Sequence, residues 1–213
     1  ENSLKMAQLE FKMGVLGSYY FRAVPCSWNE KIIKEIATLG HEVGYHYETM
    51  DTSNGDIEKA WIEFQHHLKE LRKLIDVKTV CMHGSPKSKF DNKDIWNKHD
   101  YKNIGIIGEP YYDIPFDSVF YLTDTGRRWD GYKVSIRDKV EKQNSWIESG
   151  LTFHSTGDII KSLKSNRFPK QLMINLHPQR WNIKFYPWLK ELIVQNLKNQ
   201  IKRLIIKKKN KFI

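Results

Sequence analysis

Cysteine is almost missing from this chain, with only Cys26 and Cys81 among 213 residues. Two such residues build no disulfide framework. Neither belongs to a Cys-x-x-Cys pair, so a cysteine zinc site and a dithiol redox motif are both excluded. This usage fits a reducing compartment, and the expected location is the cytoplasm. Long apolar runs are missing as well: no stretch approaches the ~18 residues that a membrane-spanning helix needs. No secretory leader pattern is visible, although the chain opens on Glu1 and enters a helical pattern at once. We expect that a segment has been cut away upstream. Acidic residues are scarce at the other end, where Lys184 to Ile213 carry nine Lys/Arg against Glu191 alone. That segment holds +8 of the net +10, so the body is close to neutral. A basic binding face over the body is thereby excluded, and no specific nucleic-acid partner is expected.

What is present is the composition of a globular domain: 40% hydrophobic residues, 13% of all residues aromatic. At this length one core of useful size can form. Asn2 or Ser3 can cap a first helix that ends near Gly14, and the aromatic run Val15–Arg22 reads as a strand. Ser27-Trp28-Asn29-Glu30 has the form of a capping box before a helix carrying Ile32, Ile33, Ile36 and Leu39. A long amphipathic helix follows from about Asp56 to Ile75. Further strands are expected at Val77–His83, Leu151–His154 and Leu172–His177, and a closing helix from about Tyr186 to Ile206. Alternating strands and helices argue for an α/β fold with mainly parallel strands, a barrel or an open sheet.

Gly40-His41-Glu42-Val43-Gly44-Tyr45-His46-Tyr47-Glu48 is the most informative stretch. Residues two apart in extended chain share a face, so His46 and Glu48 leave the backbone together, where a divalent metal or a polar substrate could sit. His83, His154 and His177 likewise end short apolar runs before turn residues. Ligand sites in α/β folds lie at carboxyl ends of strands, where these histidines are expected. A hydrogen-bonded pair supporting a turn is the plainer reading of His46 with Glu48. His83 beside Gly84-Ser85-Pro86 is open to the same reading. Asp124, Arg127 and Trp129 share one glycine-containing loop, a mixture suited to gripping a sugar through charge and a flat apolar surface. An ordinary Asp–Arg pair stiffening the loop is the alternative. Trp181 after His177 carries the same two readings.

Ser18-Tyr19-Tyr20-Phe21-Arg22, the Gly40–Glu48 element, Cys81-Met82-His83-Gly84-Ser85-Pro86, Thr123-Asp124-Thr125-Gly126-Arg127 and His177-Pro178-Gln179-Arg180-Trp181 together resemble a branch of the polysaccharide deacetylase-like (NodB-homology) family. The resemblance covers about Ser3 to Trp181 in consistent order. It implies a distorted, TIM-like (β/α)7 barrel over residues 1–183, its first strand missing from this chain, followed by a closing helix and basic tail over 184–213. It further implies a hydrolase of non-peptide carbon–nitrogen bonds that removes an N-acetyl or O-acetyl group from a sugar or polysaccharide precursor. The family uses a divalent metal, usually zinc, to hold the attacking water. His46, Glu48 and His83 are the implied ligands here, His177 the implied general acid, and Arg22, Asp124, Arg127, Trp129 and Trp181 the implied sugar contacts.

The chain departs from the family pattern in two places. The Asp-rich first motif, which supplies the base and one ligand, would lie upstream of Glu1, so the chain as it stands is expected to be inactive. In the metal motif Tyr47 follows His46, and Met50 stands where the second histidine belongs; a thioether is a poor ligand for such an ion. A catalytically inactive carbohydrate-binding or scaffold domain that has lost the metal is therefore the alternative. The Lys-rich end is a candidate for weak contact with an anionic membrane surface.

Overall fold

The computed structural model describes residues 1–85, 88–127, 129 and 140–209, with side chains described as far as Leu204. Pro86 and residues 210–213 of the basic tail lie outside them. The chain divides into two compact units, Glu1–Ile114 and Pro115–Ile213.

In the first unit, helix α1 (Asn2–Lys12) precedes strand β1 (Ser18–Phe21). Helix α2 (Glu30–Thr38) leads to β2 (Glu42–Tyr47), the short α3 (Thr49–Thr52), the long α4 (Ile57–Arg72) and β3 (Val80–Met82). Two 3-10 turns and the short α5 (Pro110–Asp113) complete it. The strands form a parallel sheet in the order β1-β2-β3, with Phe21 opposite Tyr45 and His46 opposite Cys81. Each helical crossover returns the chain to the same end of the sheet, so Arg22, Glu48 and His83 all emerge at its carboxyl edge. Helix α4 buries Ala60, Phe64, Leu68 and Leu71 at helical spacing, and α2 buries Ile33 and Ile36. They pack with Tyr45 and Tyr47 of the central strand, whose rings lie within 5.5 Å of Phe64. Beyond β3, Val80 N–H donates to Gly108 O and Ile107 N–H to Lys78 O, so this segment joins as a single parallel bridge.

The second unit holds β4 (Phe120–Thr123), a 3-10 turn at Thr125–Arg127, α6 (Gln143–Glu148), α7 (Thr156–Lys164), β5 (Leu172–Asn175) and α8 (Phe185–Lys209). Its parallel pair β4–β5 sits over a small core of Phe120, Leu122, Phe153 and Ile159.

The structure overturns the (β/α)7 barrel. The described residues form two separate parallel sheets, of three strands and two strands. Closing a barrel requires continuous pairing around seven or eight strands, and the chain gives up strand pairing where that count needs it. After β3 it spends Asn92–Asn97 and Tyr101–Ile104 in 3-10 turns. The expected strand Leu151–His154 is a loop, because Phe153 turns into the core and His154 N–H donates to the Asp158 carboxylate that heads α7. One cap also shifts: Asn29, not Ser27, caps α2 by accepting from Ile32 N–H, while Ser27 Oγ accepts from Arg22 N–H. Ser155 and Asp158 form a reciprocal capping box at the start of α7.

Gly44 is the tightest point of the three-stranded sheet. A Cβ there would lie 2.5 Å from the Tyr20 ring and 2.7 Å from Thr79 O, which belongs to backbone and cannot swing away. Gly44→Ala should lower stability by about 1–3 kcal/mol, the usual cost of overpacking. A urea-denaturation midpoint unchanged from the parent would refute this packing.

Candidate functional site

The strand-end cluster of the first unit centres on one carboxylate. Arg22 follows β1, and its guanidinium grips both oxygens of Glu48, with Nη2 at 2.8 Å from Oε1 and 2.7 Å from Oε2 and Nε at 3.1 Å from Oε1. His83 follows β3 and places Nδ1 2.9 Å from Glu48 Oε2, an ion-pair approach without an aligned hydrogen bond. Burial raises the Glu48 pKa, but His83 and Arg22 outweigh it and hold the carboxyl at about 2. His46 stands beside them, its ring 5.1 Å from that of His83 in an edge-to-face arrangement. A carbonyl can only accept, so His46 Nδ1 carries the proton in its 2.8 Å hydrogen bond to Cys81 O. In the neutral ring Nε2 is then the basic nitrogen.

The loop behind this cluster is held by buried amide groups. Asn92 donates to His83 O at 2.8 Å and to Asp51, while its Oδ1 accepts from Met50 N–H. Ser88 Oγ donates to the same Asp51 carboxylate. Met50, at the expected second histidine position, is a core side chain.

Two neighbouring imidazoles, one with Nδ1 anchored on a backbone carbonyl and one with Nδ1 facing a carboxylate at 2.9 Å, resemble the outer-shell arrangement of metal-binding histidines. The donor type suits zinc. Glu48 could serve as a third ligand only by giving up part of its hold on Arg22. Among the described residues no group of three or more His, Cys, Asp and Glu side chains is placed to hold an ion.

The second unit carries an analogous cluster. Asp124, just after β4, is 4% exposed and accepts from His177 Nδ1 at 2.6 Å, His177 N–H at 3.1 Å, Arg180 Nη1 at 2.6 Å and Trp181 Nε1 at 2.9 Å. Burial raises its pKa, but hydrogen bonds from His177 and the charge of Arg180 reverse the balance and leave it lowered. Arg180 Nη1 also lies 2.8 Å from His177 Nδ1, so Nδ1 is shared between a carboxylate that only accepts and a guanidinium that only donates. In the tautomer that donates Nδ1–H to Asp124, Nε2 is the ring nitrogen left for proton transfer. Pro178 begins a 3-10 turn that brings Arg180 and Trp181 back over Asp124. Trp129 donates Nε1–H to Thr156 Oγ1, and its ring lies 6.2 Å from that of Trp181. Arg127 does not pair with the Asp124 carboxylate. Its Nη1 reaches Glu191 Oε2 at 2.8 Å and Trp188 O at 3.3 Å, tying the turn to α8. The other histidines named in the sequence act elsewhere: His154 caps no strand, and His41 is buried between Gly17 N–H and Ala7 O.

Sequence reasoning missed Glu109. It is fully buried and accepts from Met82 N–H at 3.0 Å, Tyr111 N–H at 2.6 Å and Tyr47 O–H at 3.3 Å. Burial pushes its pKa up to about 7 against those hydrogen bonds and the Lys93 charge. The signal was an acidic residue directly before Pro110, the N-cap position of a helix.

Comparison with known proteins gave no match to any family model, curated protein or solved structure.

The two glutamates act on pH stability with opposite sign. Glu48 has a depressed folded pKa, so its contribution is complete above about 4.5 and is lost as pH falls toward about 2. The stability gap between parent and Glu48→Gln should therefore shrink through that window. Glu109 has a raised folded pKa, so the chain should lose stability as pH rises from about 4.5 toward about 7. Glu109→Gln should remove that slope. Denaturant midpoints measured across both windows check the pair of signs, and parallel profiles for parent and variants would contradict them.

Proposed function

We propose that the chain supplies the proton-donating part of a carbohydrate hydrolase of the deacetylase type, which releases acetate from an N-acetylated or O-acetylated sugar. The observation that carries this reading is the Asp124–His177 pair, a buried ionised carboxylate fixing an imidazole through Nδ1. Orienting a ring in that way is what a general acid requires. In amide hydrolysis water adds to the acyl carbon and gives up a proton to a base, the carbon–nitrogen bond breaks, and the nitrogen leaves as an amine once it takes a proton from an acid. His177 Nε2 supplies that proton. Asp124 stabilises the charged ring before transfer and fixes its direction throughout. Trp181 and Trp129, their rings tilted 55° to one another, offer two apolar ring faces next to it, the kind of face on which a sugar ring stacks.

Within the first unit, His46 and His83 are the residues that would hold a divalent ion, zinc by donor type, and such an ion would supply Lewis-acid chemistry there. Glu48 and Cys81 O orient those two rings, and Arg22 keeps Glu48 ionised.

A second reading, a carbohydrate-binding domain without catalysis, is favoured by the guanidinium on Glu48 and by buried Met50 in place of a second histidine. Acetate release from acetylated oligosaccharides, measured with zinc present, separates the two. The hydrolase reading expects turnover that His177→Ala lowers by about 10²–10⁴-fold with the metal content unchanged. It expects Asp124→Asn to act in the same direction by releasing the ring. Sugar binding without any acetate release, unaffected by either variant, would establish the second reading instead.

A further inference from the structure

Helix α8 is turned inside out. The face it presents to the rest of its unit carries amides: Gln195 and Asn199 are 6% and 4% exposed. Gln195 Nε2 donates to Asn199 Oδ1, and Asn199 Nδ2 donates to Gly126 O, both at 2.8 Å. One turn earlier Glu191 holds Arg127. The opposite face carries aliphatics. Ile193, Leu197, Ile201 and Leu204 are exposed by 54%, 63%, 59% and 68%, with Val194 and Tyr186 beside them. At 3.6 residues per turn these six side chains fall within an arc of about 100°. Soluble helices bury such a stripe, because leaving it in water forfeits the hydrophobic gain.

The charge around the stripe selects what covers it. Lys190 lies within the arc and Lys198 at its border. The segment from Lys184 carries nine basic residues against Glu191, whose carboxylate is already taken by Arg127. Two copies pairing along this face would bring like charges together. An anionic lipid surface instead supplies the opposite charge and an apolar layer at the same depth. A helix with an aliphatic stripe, a basic border and too little apolar length to span has the features of one lying in the interface plane.

We propose that α8 is an interfacial helix, which docks the chain on an anionic membrane by inserting Ile193, Leu197, Ile201 and Leu204 between headgroups. The inward amides keep the helix attached to its own unit while the aliphatic face is in lipid. This inference is independent of the hydrolase reading.

The test is co-sedimentation of the full chain with vesicles of phosphatidylglycerol and phosphatidylcholine in equal parts, against vesicles of phosphatidylcholine alone. Binding is expected to the anionic vesicles and to weaken as salt rises. Leu197→Glu combined with Ile201→Glu should lower the partition coefficient at least about tenfold, since each side chain loses its transfer into lipid. Both positions are exposed, so the far-ultraviolet circular dichroism and melting midpoint of that variant should match the parent. Lys190→Gln with Lys198→Gln should weaken binding severalfold at low salt. Three results would overturn the proposal. One is no binding to anionic vesicles. Another is binding that the double glutamate variant leaves unchanged, which means charge alone with no inserted stripe. The third is a lipid-indifferent dimer that the same variant dissociates, which means a second copy covers the face.

Discussion

The carboxylate of Glu48 ties together the ends of three strands, and the arrangement of the first unit depends on it. Arg22 arrives from β1, Glu48 from β2 and His83 from β3, so the three side chains meet only if the sheet is parallel and in the observed register. Side chains alternate along a strand, and a slip of one residue would put Tyr47 where Glu48 stands. The cluster and the core therefore enforce the same pairing. Tyr45 and Tyr47 must face α4 for the rings to pack on Phe64, which leaves His46 on the other face. The Arg22–Glu48 contact is partly exposed and screened, so its worth lies more in fixing geometry than in raw stability.

Among the described residues, Glu48, Glu109 and Asp124 show how neighbours decide the state of a carboxyl taken out of water. Glu48 and Asp124 each have a guanidinium and an imidazole within hydrogen-bond range, and both carboxyls are lowered. Glu109 has backbone N–H groups and a tyrosine hydroxyl but no cation in direct contact, and burial wins. Neutral dipoles stabilise a carboxylate less than an adjacent full charge does, and desolvation costs the charged form regardless. The ionised pair orients imidazoles. The neutral-leaning Glu109 instead joins the ends of β2 and β3 through Tyr47 and Met82, one residue from His46 and His83 on either strand.

Local signals in the sequence were legible. The strand that ends beside His46, the long helix after Asp56, the Ser155–Asp158 box and the closing helix all follow from periodicity and capping. The grouping of Arg22, Glu48 and His83 also follows, because strand–helix alternation places successive carboxyl ends on one side. Barrel closure did not follow. It depends on whether short apolar runs such as Leu151–His154 find a strand partner, and that is decided by tertiary packing that no local pattern encodes. The partners of Asp124 were half legible: loop position marked it, but its burial under Arg180 and Trp181 comes from the turn after Pro178. Histidine roles were hidden for a similar reason. His41 and His46 sit in the same strand segment, yet the first spends both ring nitrogens on backbone groups while the second anchors one and faces His83.

The 3-10 turn Thr125–Arg127 explains why α8 faces outward as it does. Gly126 and Arg127 both adopt left-handed backbone, φ 75° and 57°, the second without the freedom of glycine. Such a turn directs the Gly126 carbonyl and the Arg127 side chain away from its own strand, and both are polar groups that need partners when covered. Asn199 supplies one and Glu191 the other, eight residues apart on a single helix face. A helix recruited to satisfy a turn must present amides and carboxylate inward. Its aliphatic residues then have nowhere to go but out. The turn that follows Asp124 thus sets the exposed apolar stripe as well, and it is joined to the helix by the bonds of Gly126 O to Asn199 and of Arg127 to Glu191 and Trp188 O.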